Sequence, residues 1–476
     1  MAPRGGSKKQ QQQQRAMVYC EGSPTWNPDA YLADAELQAR AEARLAADDL
    51  RGAIAASFAL RGADAYVYHA ITAVTLAEAQ QAVSLGGAHG LHSWYYEDED
   101  EDDEKAPSTT TTTMPDASEP SPSAPPQRPR PRPKALPPPP RADTEAYLAL
   151  FAPAGAAATA LRNLAANARK GSLRAGVAAH LGAKRYVHPS LAELVKLPRA
   201  KKAAAASGGS GGGGGGGSGG VVVPANPYLA FQSWASRALE WAGPSPLSAR
   251  PSSHPVLAVL MHHFGCACPS HEALEVLRRL AAGREILDVG SGNGYWTRML
   301  RDYHAAFHRP ENASSSSSST ATTALPFLPL VTPVDSAQSA WRATWVPDTL
   351  VADGAAYLRD VRRGAPDAVL LLVYPVVGGG LAGGRPGGFT RDLLAAYAGD
   401  TLAVVGTQNR NGYTGFRDRT MDEFMAREHA PEWVRVVQLP LPSFPGKDEA
   451  LYVFQRGPRA PPPPRDAGAP EPVGSG

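Results

Sequence analysis

The run Ile286-Leu287-Asp288-Val289-Gly290-Ser291-Gly292-Asn293-Gly294-Tyr295-Trp296 concentrates the residues best suited to chemistry. An apolar strand signal carrying one acid, Asp288, leads directly into glycines at alternate positions. Glycine lets the backbone turn sharply and lets a ligand approach peptide groups where any β-carbon would clash. Gly290, Ser291, Gly292 and Gly294 therefore read as a strand-to-helix turn able to cradle a cofactor. The dinucleotide fingerprint G-x-G-x-x-G would need glycine at position 295, so that the next helix packs closely and aims its amides at a pyrophosphate. Tyr295 stands there, which disfavours a dinucleotide and leaves a structural turn without ligand as the plain alternative.

This strand with its acid and its G-x-G-x-G turn resembles the first motif of the class I S-adenosylmethionine-dependent methyltransferases. The resemblance spans Ala225 to Arg456 and does not reach the N-terminal half. It implies a Rossmann-like α/β domain, with a parallel sheet and an antiparallel C-terminal strand, that binds S-adenosyl-L-methionine around Asp288, Gly290, Ser291, Gly292 and Gly294. It also implies an acid after the second strand for the ribose hydroxyls, and an acid or amide after the third for the adenine amino group. Asp335, closing Val331-Thr332-Pro333-Val334-Asp335, matches the first position, and Asp353-Gly354, after Thr349-Leu350-Val351-Ala352, matches the second. Pro333 departs from the pattern, because proline is unwelcome in a central strand, so that strand reads as short or bulged. Ordinary turn acids are the competing reading for both aspartates, and Asp348 reads as a turn or cap residue.

Ligands of open α/β sheets lie beyond the carboxyl ends of the strands. Val369 to Val373 delivers Tyr374 and Pro375 there, where Tyr374 is a candidate to orient a substrate, with ordinary core packing as the alternative. Members of the resembled family that modify adenine or glutamine amide carry Asn/Asp/Ser-Pro-Pro-Tyr/Phe at that point. Val373-Tyr374-Pro375-Val376 disfavours those branches. Leu402 to Gly406 feeds Thr407-Gln408-Asn409-Arg410-Asn411-Gly412-Tyr413, a hydrogen-bonding run in which Asn409 is the second catalytic candidate. Lys447 and Asp448, between the last two strand signals, read as a solvated hairpin tip. His262, His263, Cys266, Cys268 and His271 invite a metal reading, but Cys-x-Cys lacks the C-x₂₋₄-C spacing of tetrahedral zinc motifs and no second pair follows. No metal is assigned.

Strands are expected at Ile286–Val289, Val331–Val334, Thr349–Val351, Ala368–Val373, Thr401–Val405, Trp433–Leu439 and Ala450–Gln455, alternating with helical patterns as in a parallel sheet with crossover helices. Leu274, Leu277 and Leu280 form a helical stripe ended by Gly283. Upstream, Leu50, Ile54 and Phe58, continued by Val67, Ile71 and Val74, predict a helical segment over 27–96, and a second is predicted over 144–200, with Ser190 and Glu193 at capping-box spacing. Between them, 97–143 holds an acidic run and a Pro-rich stretch with Arg128, Arg130, Arg132 and Lys134, a composition that cannot bury a core. Residues 201–224, with the glycine-serine run Ser207 to Gly220, read as a flexible tether. The domain carrying the chemistry is 225–458, flanked by disordered ends at 1–26 and 459–476. The serine- and threonine-rich stretch Asn312 to Thr323 reads as a surface insertion.

The chain holds 47 glycines and 45 prolines, so the folded part is smaller than its 476 residues. A net charge of +2 with dispersed basic residues lacks the basic face that grips a phosphate backbone, so nucleic acid is disfavoured as a partner. Three cysteines do not make a disulfide framework, which fits a reducing compartment. No run reaches the ~18 to 20 apolar residues of a membrane span. These features predict a soluble protein of the cytoplasm, with the nucleus as alternative, and assign no oligomeric state. The functional expectation is a methyltransferase acting on a protein or small-molecule acceptor. The alternative is a degenerate methyltransferase-fold scaffold that recruits partners through its N-terminal half. Because a glycine-rich tether sets reach and not site geometry, replacing Ser207 to Gly220 with another flexible linker is expected to leave cofactor affinity unchanged by calorimetric titration.

Overall fold

A computed structural model describes residues 26–69, 73–86, 92–97, 134–153, 156–195, 223–248, 254–307, 331–375, 387–409, 414, 416 and 419–462. The acidic run beyond Glu97, the Pro-Arg stretch up to Pro133, the Ser207 to Gly220 tether, the Asn312 to Thr323 insertion and Arg410 to Tyr413 lie outside these residues. No helix among the described residues is long and apolar enough to cross a membrane.

The expected strand signals all form strands. Numbered in chain order, they are β1 Val67–His69, β2 Ala73–Thr75, β3 Tyr186–Val187, β4 Ile286–Val289, β5 Val331–Asp335, β6 Leu350–Val351, β7 Val369–Val373, β8 Thr401–Thr407, β9 Val434–Pro440 and β10 Glu449–Gln455. β1 and β2 pair as a hairpin, and the other eight form one sheet in the order β3-β9-β10-β8-β7-β4-β5-β6. Strands β6, β5, β4, β7 and β8 are parallel, and β10 is antiparallel to β8. Counted from β4, the parallel part reads 3-2-1-4-5, the doubly wound order whose switch point lies between the first and fourth strands, here β4 and β7.

Pro333 is accommodated by which side of β5 it faces. Val334 offers its carbonyl to Gly290 on the β4 side, and Asp335 offers its carbonyl to Ala352 on the β6 side. Residues alternate along a parallel strand, so Val331 and Pro333 face the β6 side, where β6 has not yet begun because Val334 is its first partner. The missing proline N–H therefore leaves no ladder bond unmade, and Arg301 takes the Val331 carbonyl in place of a strand.

Alternation also gives the sheet two apolar faces. Leu287, Val289, Val334, Leu370, Leu372, Val404, Tyr452 and Phe454 meet the helices Gly388–Ala396 and Met421–Glu428 on one face. Ile286, Val331, Val369, Leu371, Val405, Leu451 and Val453 lie on the other, in a core shared with helices His271–Ala281, Tyr295–Phe307, Pro255–Phe264 and Pro227–Ala238. That core continues without a break into Tyr31, Leu45, Ile54, Phe58, Tyr68, Trp94, Tyr147 and Leu181.

The N-terminal segments, which the tether composition sets apart from the sheet, share its hydrophobic core. They cover its second face, and β3 adds a strand at its β9 edge. The ends of the acidic and Pro-rich stretch are pinned together: Tyr96 bridges Ala135, Glu97 N–H donates to the Lys134 carbonyl and Lys134 pairs with Glu97. That stretch is an insertion within one folded unit, and it does not link two units. A second correction concerns 27–96. Leu50, Ile54 and Phe58 lie on a helix and its cap, Leu50–Ser57, but Val67 and Val74 belong to the β1–β2 hairpin. β-Branched and aromatic neighbours (Val67-Tyr68, Val74-Thr75) fit a pleated pair better than a helical turn. In the same way, Ser190 lies in a 3₁₀ turn, Pro189–Val195, and its hydroxyl bonds His188 Nδ1. Among the described residues, capping boxes form at Thr75/Glu78 and Thr420/Glu423.

Phe58 is 1% exposed and sits among Trp26, Tyr31, His263, Phe264 and Trp345. Truncating a buried aromatic costs about 3–5 kcal/mol. Phe58→Ala is expected to lower the stability of the whole chain by that amount in one cooperative denaturant transition. A separate, unshifted transition for the sheet domain would contradict the shared core.

Candidate functional site

The glycine turn, Asp335, Asp353-Gly354, Tyr374 and Asn409 fall at one edge of the sheet, at or just beyond the carboxyl ends of β4, β5, β6, β7 and β8. At the end of β4 the chain reverses through Gly290, Gly292 and Gly294 with φ of 79°, 57° and 78°, left-handed conformations that side chains with a β-carbon resist. The turn is held from below by two bonds to Val334, Gly290 N–H at 2.8 Å and Ser291 N–H at 3.1 Å. Asp335 holds it from the side: Oδ2 accepts the Gly292 N–H at 2.9 Å and Oδ1 accepts that of Ala337 at 2.7 Å. The acid expected on the second strand thus touches the loop itself.

A β-carbon at Gly292 would lie 2.8 Å from the indole of Trp341, one at Gly290 3.4 Å from the ring of Phe389, and one at Gly294 2.3 Å from Val346. The cradle is therefore lined by aromatic and apolar side chains, Trp341, Phe389 and Val346, none of which sequence reasoning singled out. Trp341 comes from the irregular β5–β6 connection and Phe389 from the first turn of the helix Gly388–Ala396, and which residue of either meets the glycines is set by tertiary packing. Ser291 Oγ is buried and has no hydrogen-bond partner among the described residues.

Asp288 lies apart from this surface. It is fully buried on β4, where Oδ2 accepts the Thr297 hydroxyl at 2.7 Å and ties the strand to the helix that follows the loop. Burial raises its pKa to about 7, and the neighbouring Asp335 adds to the effect. The aspartate expected among cofactor ligands thus lies within the strand, bonded to the helix after the turn. Asp353 is exposed and caps the short helix Gly354–Ala356 by accepting the Ala356 N–H at 2.8 Å. Gly354 is buried, and a β-carbon there would meet Val289 at 2.5 Å, so the backbone passes close under β4. Asp348 receives a two-pronged contact from Arg301 at 2.9 and 2.8 Å.

The part of this edge around β7, β8 and β10 differs most from expectation. Lys447 and Asp448 form no solvated tip: they are 1% and 2% exposed, and Glu449 is 2% exposed. Lys447 Nζ donates to Tyr374 Oη at 2.8 Å and lies 3.7 Å from Glu449 Oε1. Asp448 accepts from Gln408 Nε2 and meets His180 Nε2, each at 2.7 Å. Gln408 is in turn held by Gln438, and Gln438 by Arg435. The hairpin reading missed this because a K-D-E run looks like surface in sequence; it is roofed by His180 from the N-terminal half, by Tyr147 and by Cys266. Tyr374 is buried with φ of 54°, a strained backbone for a non-glycine residue. Asn409, just past β8, keeps its side-chain oxygen buried with no hydrogen-bond partner among the described residues.

The histidines and cysteines near 262–271 separate. His263 faces Tyr68 Oη at 3.1 Å, and His262 Nε2 faces the His69 carbonyl at 2.8 Å. Burial raises the Cys266 thiol to about 11 and lifts Cys268 well above the usual thiol range, so neither is a thiolate near neutral pH.

No protein-family model matches the chain, and no curated protein matches it.

Because Asp288 is held near 7 in the fold while an exposed aspartate ionises near 4, the folded state binds the extra proton between those values. Stability therefore falls as pH rises from about 4 to about 7. Asp288→Asn is expected to flatten that decline, raising Tm more at pH 8 than at pH 4. An equal change at both pH values would remove the buried carboxyl as its cause.

Proposed function

We propose that this chain is an S-adenosylmethionine-dependent methyltransferase acting on a protein or small-molecule acceptor. The observation that carries the reading is the set of left-handed glycines at the switch point between β4 and β7, clasped by Asp335 from the next strand. The residues present fit the cofactor. Its adenosyl part would lie across the bare backbone of Gly290 to Gly294, beside Ser291 Oγ. Asp335, whose two described bonds leave lone pairs on its oxygens, would accept from the ribose hydroxyls. Trp341 and Phe389 offer aromatic faces of the kind that attract a purine or a sulfonium cation. Asp353, exposed beyond β6, would meet the adenine amino group, and Tyr374 and Asn409 would face the acceptor. The bound cofactor supplies a methyl group already activated on sulfur, so the protein has chiefly to position an incoming nucleophile in line.

A net charge of only +2, with basic residues dispersed along the chain, favours a protein or small molecule over a polyanion. The scaffold alternative draws on the Trp341 indole lying against Gly292, which a ligand reaching that glycine must share or displace.

Calorimetric titration of the full chain with S-adenosylmethionine and S-adenosylhomocysteine is expected to give saturable heat and a raised Tm. Gly292→Val is expected to abolish both, with the far-UV spectrum little changed, and Asp335→Ala to weaken binding by about 1–3 kcal/mol. A folded parent that gives neither heat nor a thermal shift would leave the scaffold reading. Methyl label supplied with fractionated cell extract is expected in protein or small-molecule fractions, and recovery chiefly in RNA or DNA would overturn the acceptor class.

A further inference from the structure

The buried charges beside Tyr374 are used by no element of the cofactor cradle. Glu449 begins β10 opposite Thr407 at the carboxyl end of β8. Its Oε1 lies near Lys447, while its Oε2 is fully buried with no hydrogen-bond partner among the described residues. An orphan carboxylate oxygen inside a protein is costly unless a donor reaches it. The cluster lies next to the cradle because one loop touches both. Gly265 abuts Asn293 of the glycine turn, Trp296 donates to the Ala267 carbonyl at 2.9 Å, and Cys266 lies beside Lys447 and Glu449. The strained Tyr374 completes the set at the switch strand β7.

Resting on the methyltransferase reading, we propose that Glu449 is the group that takes the proton from the methyl acceptor, and that the reacting atom of the acceptor is a nitrogen or oxygen bearing hydrogen. The acceptor lone pair forms the bond to the methyl carbon, the carbon–sulfur bond breaks with its electrons remaining on sulfur, and the N–H or O–H proton passes to Glu449 Oε2. Lys447 and Tyr374 are positioning residues: the ammonium, anchored on the tyrosine hydroxyl, holds Glu449 and keeps the site neutral overall.

The groups facing Glu449 are Lys447 and Asp448 from its own hairpin, Cys266 and Cys268 from the loop after Pro255–Phe264, Tyr147 from Arg141–Leu148 and Tyr228 from Pro227–Ala238. Burial keeps both thiols and both phenols neutral at pH 7, and Asp448 is engaged by His180 and Gln408. Burial also lifts Glu449 to about 7, with Lys447 opposing. A sulfonium placed next to this carboxyl favours its charged form.

The experiment needs no acceptor: affinities of the full chain for S-adenosylmethionine, which is cationic at sulfur, and for S-adenosylhomocysteine, which is not, are measured from pH 6 to 8. The ratio favouring S-adenosylmethionine is expected to rise roughly three- to tenfold across that range and to stay flat in Glu449→Gln. A flat ratio in the parent, or a rise that survives in Glu449→Gln, overturns the proposal. Should Glu449→Gln not fold, Asp288→Asn decides, since Asp288 also ionises near 7: loss of the rise there assigns it to Asp288 and overturns the proposal, while its persistence supports Glu449. Failure of the parent to bind either compound refutes the methyltransferase reading itself, an outcome distinct from binding without pH dependence.

Discussion

The carbonyl of His263 is the point on which the rest of the molecule turns. It receives Asn293 Nδ2 from the glycine turn at 3.2 Å and the indole N–H of Trp345 at 2.7 Å, while Trp345 N–H bonds the Asn293 carbonyl at 2.8 Å. Trp345 then packs against Phe264, Tyr295 and Trp26. A helix end, the turn after β4, the β5–β6 connection and the N-terminal segment thus meet through one small polar knot within an aromatic cluster. Such knots are costly when partly satisfied and specifying when complete, and this one sets where the glycines stand relative to everything else.

Two consequences follow for how the edge of the sheet works. The glycine turn is rigid although its residues are the most permissive in the chain, because amides, carboxylate and strand carbonyls hold it on several sides. The edge around β7, β8 and β10 is kept dry. Lys447 and Glu449 lie 3.7 Å apart in a desolvated place, where burial works against the charge of each and the other partner opposes that effect. The N-terminal half contributes directly to that dryness, with His180 on Asp448 and Tyr147 Oη accepting the Ser443 N–H at 3.0 Å. What reads in sequence as an appendage on a tether packs over this edge of the sheet.

Several of the departures from the sequence reading have one physical origin. Pro333 reads as an interruption because sequence does not tell which side of β5 lacks a neighbour. Lys447-Asp448-Glu449 reads as solvated because charge in sequence carries no information about what folds over it. The β1–β2 hairpin reads as helix because Val67 and Val74 also satisfy a helical spacing over a short window. In each case the deciding partner is remote in the chain: β6 for Pro333, His180 and Tyr147 for the charged run, Arg342 and His263 for the hairpin.

The sequence by itself determined the sheet strands, their alternation with helices, and the glycine turn with Asp335 beyond the next strand, because these rest on local periodicity and on backbone freedom that only glycine has. Only the tertiary structure decided that the N-terminal half shares the core, that Asp288 lies beneath the cradle, that Trp341 and Phe389 line it, and that Lys447, Tyr374 and Glu449 converge. Those facts depend on burial and on contacts between residues far apart in the chain, and burial is a property of what covers a residue, which no stretch of its own neighbours specifies.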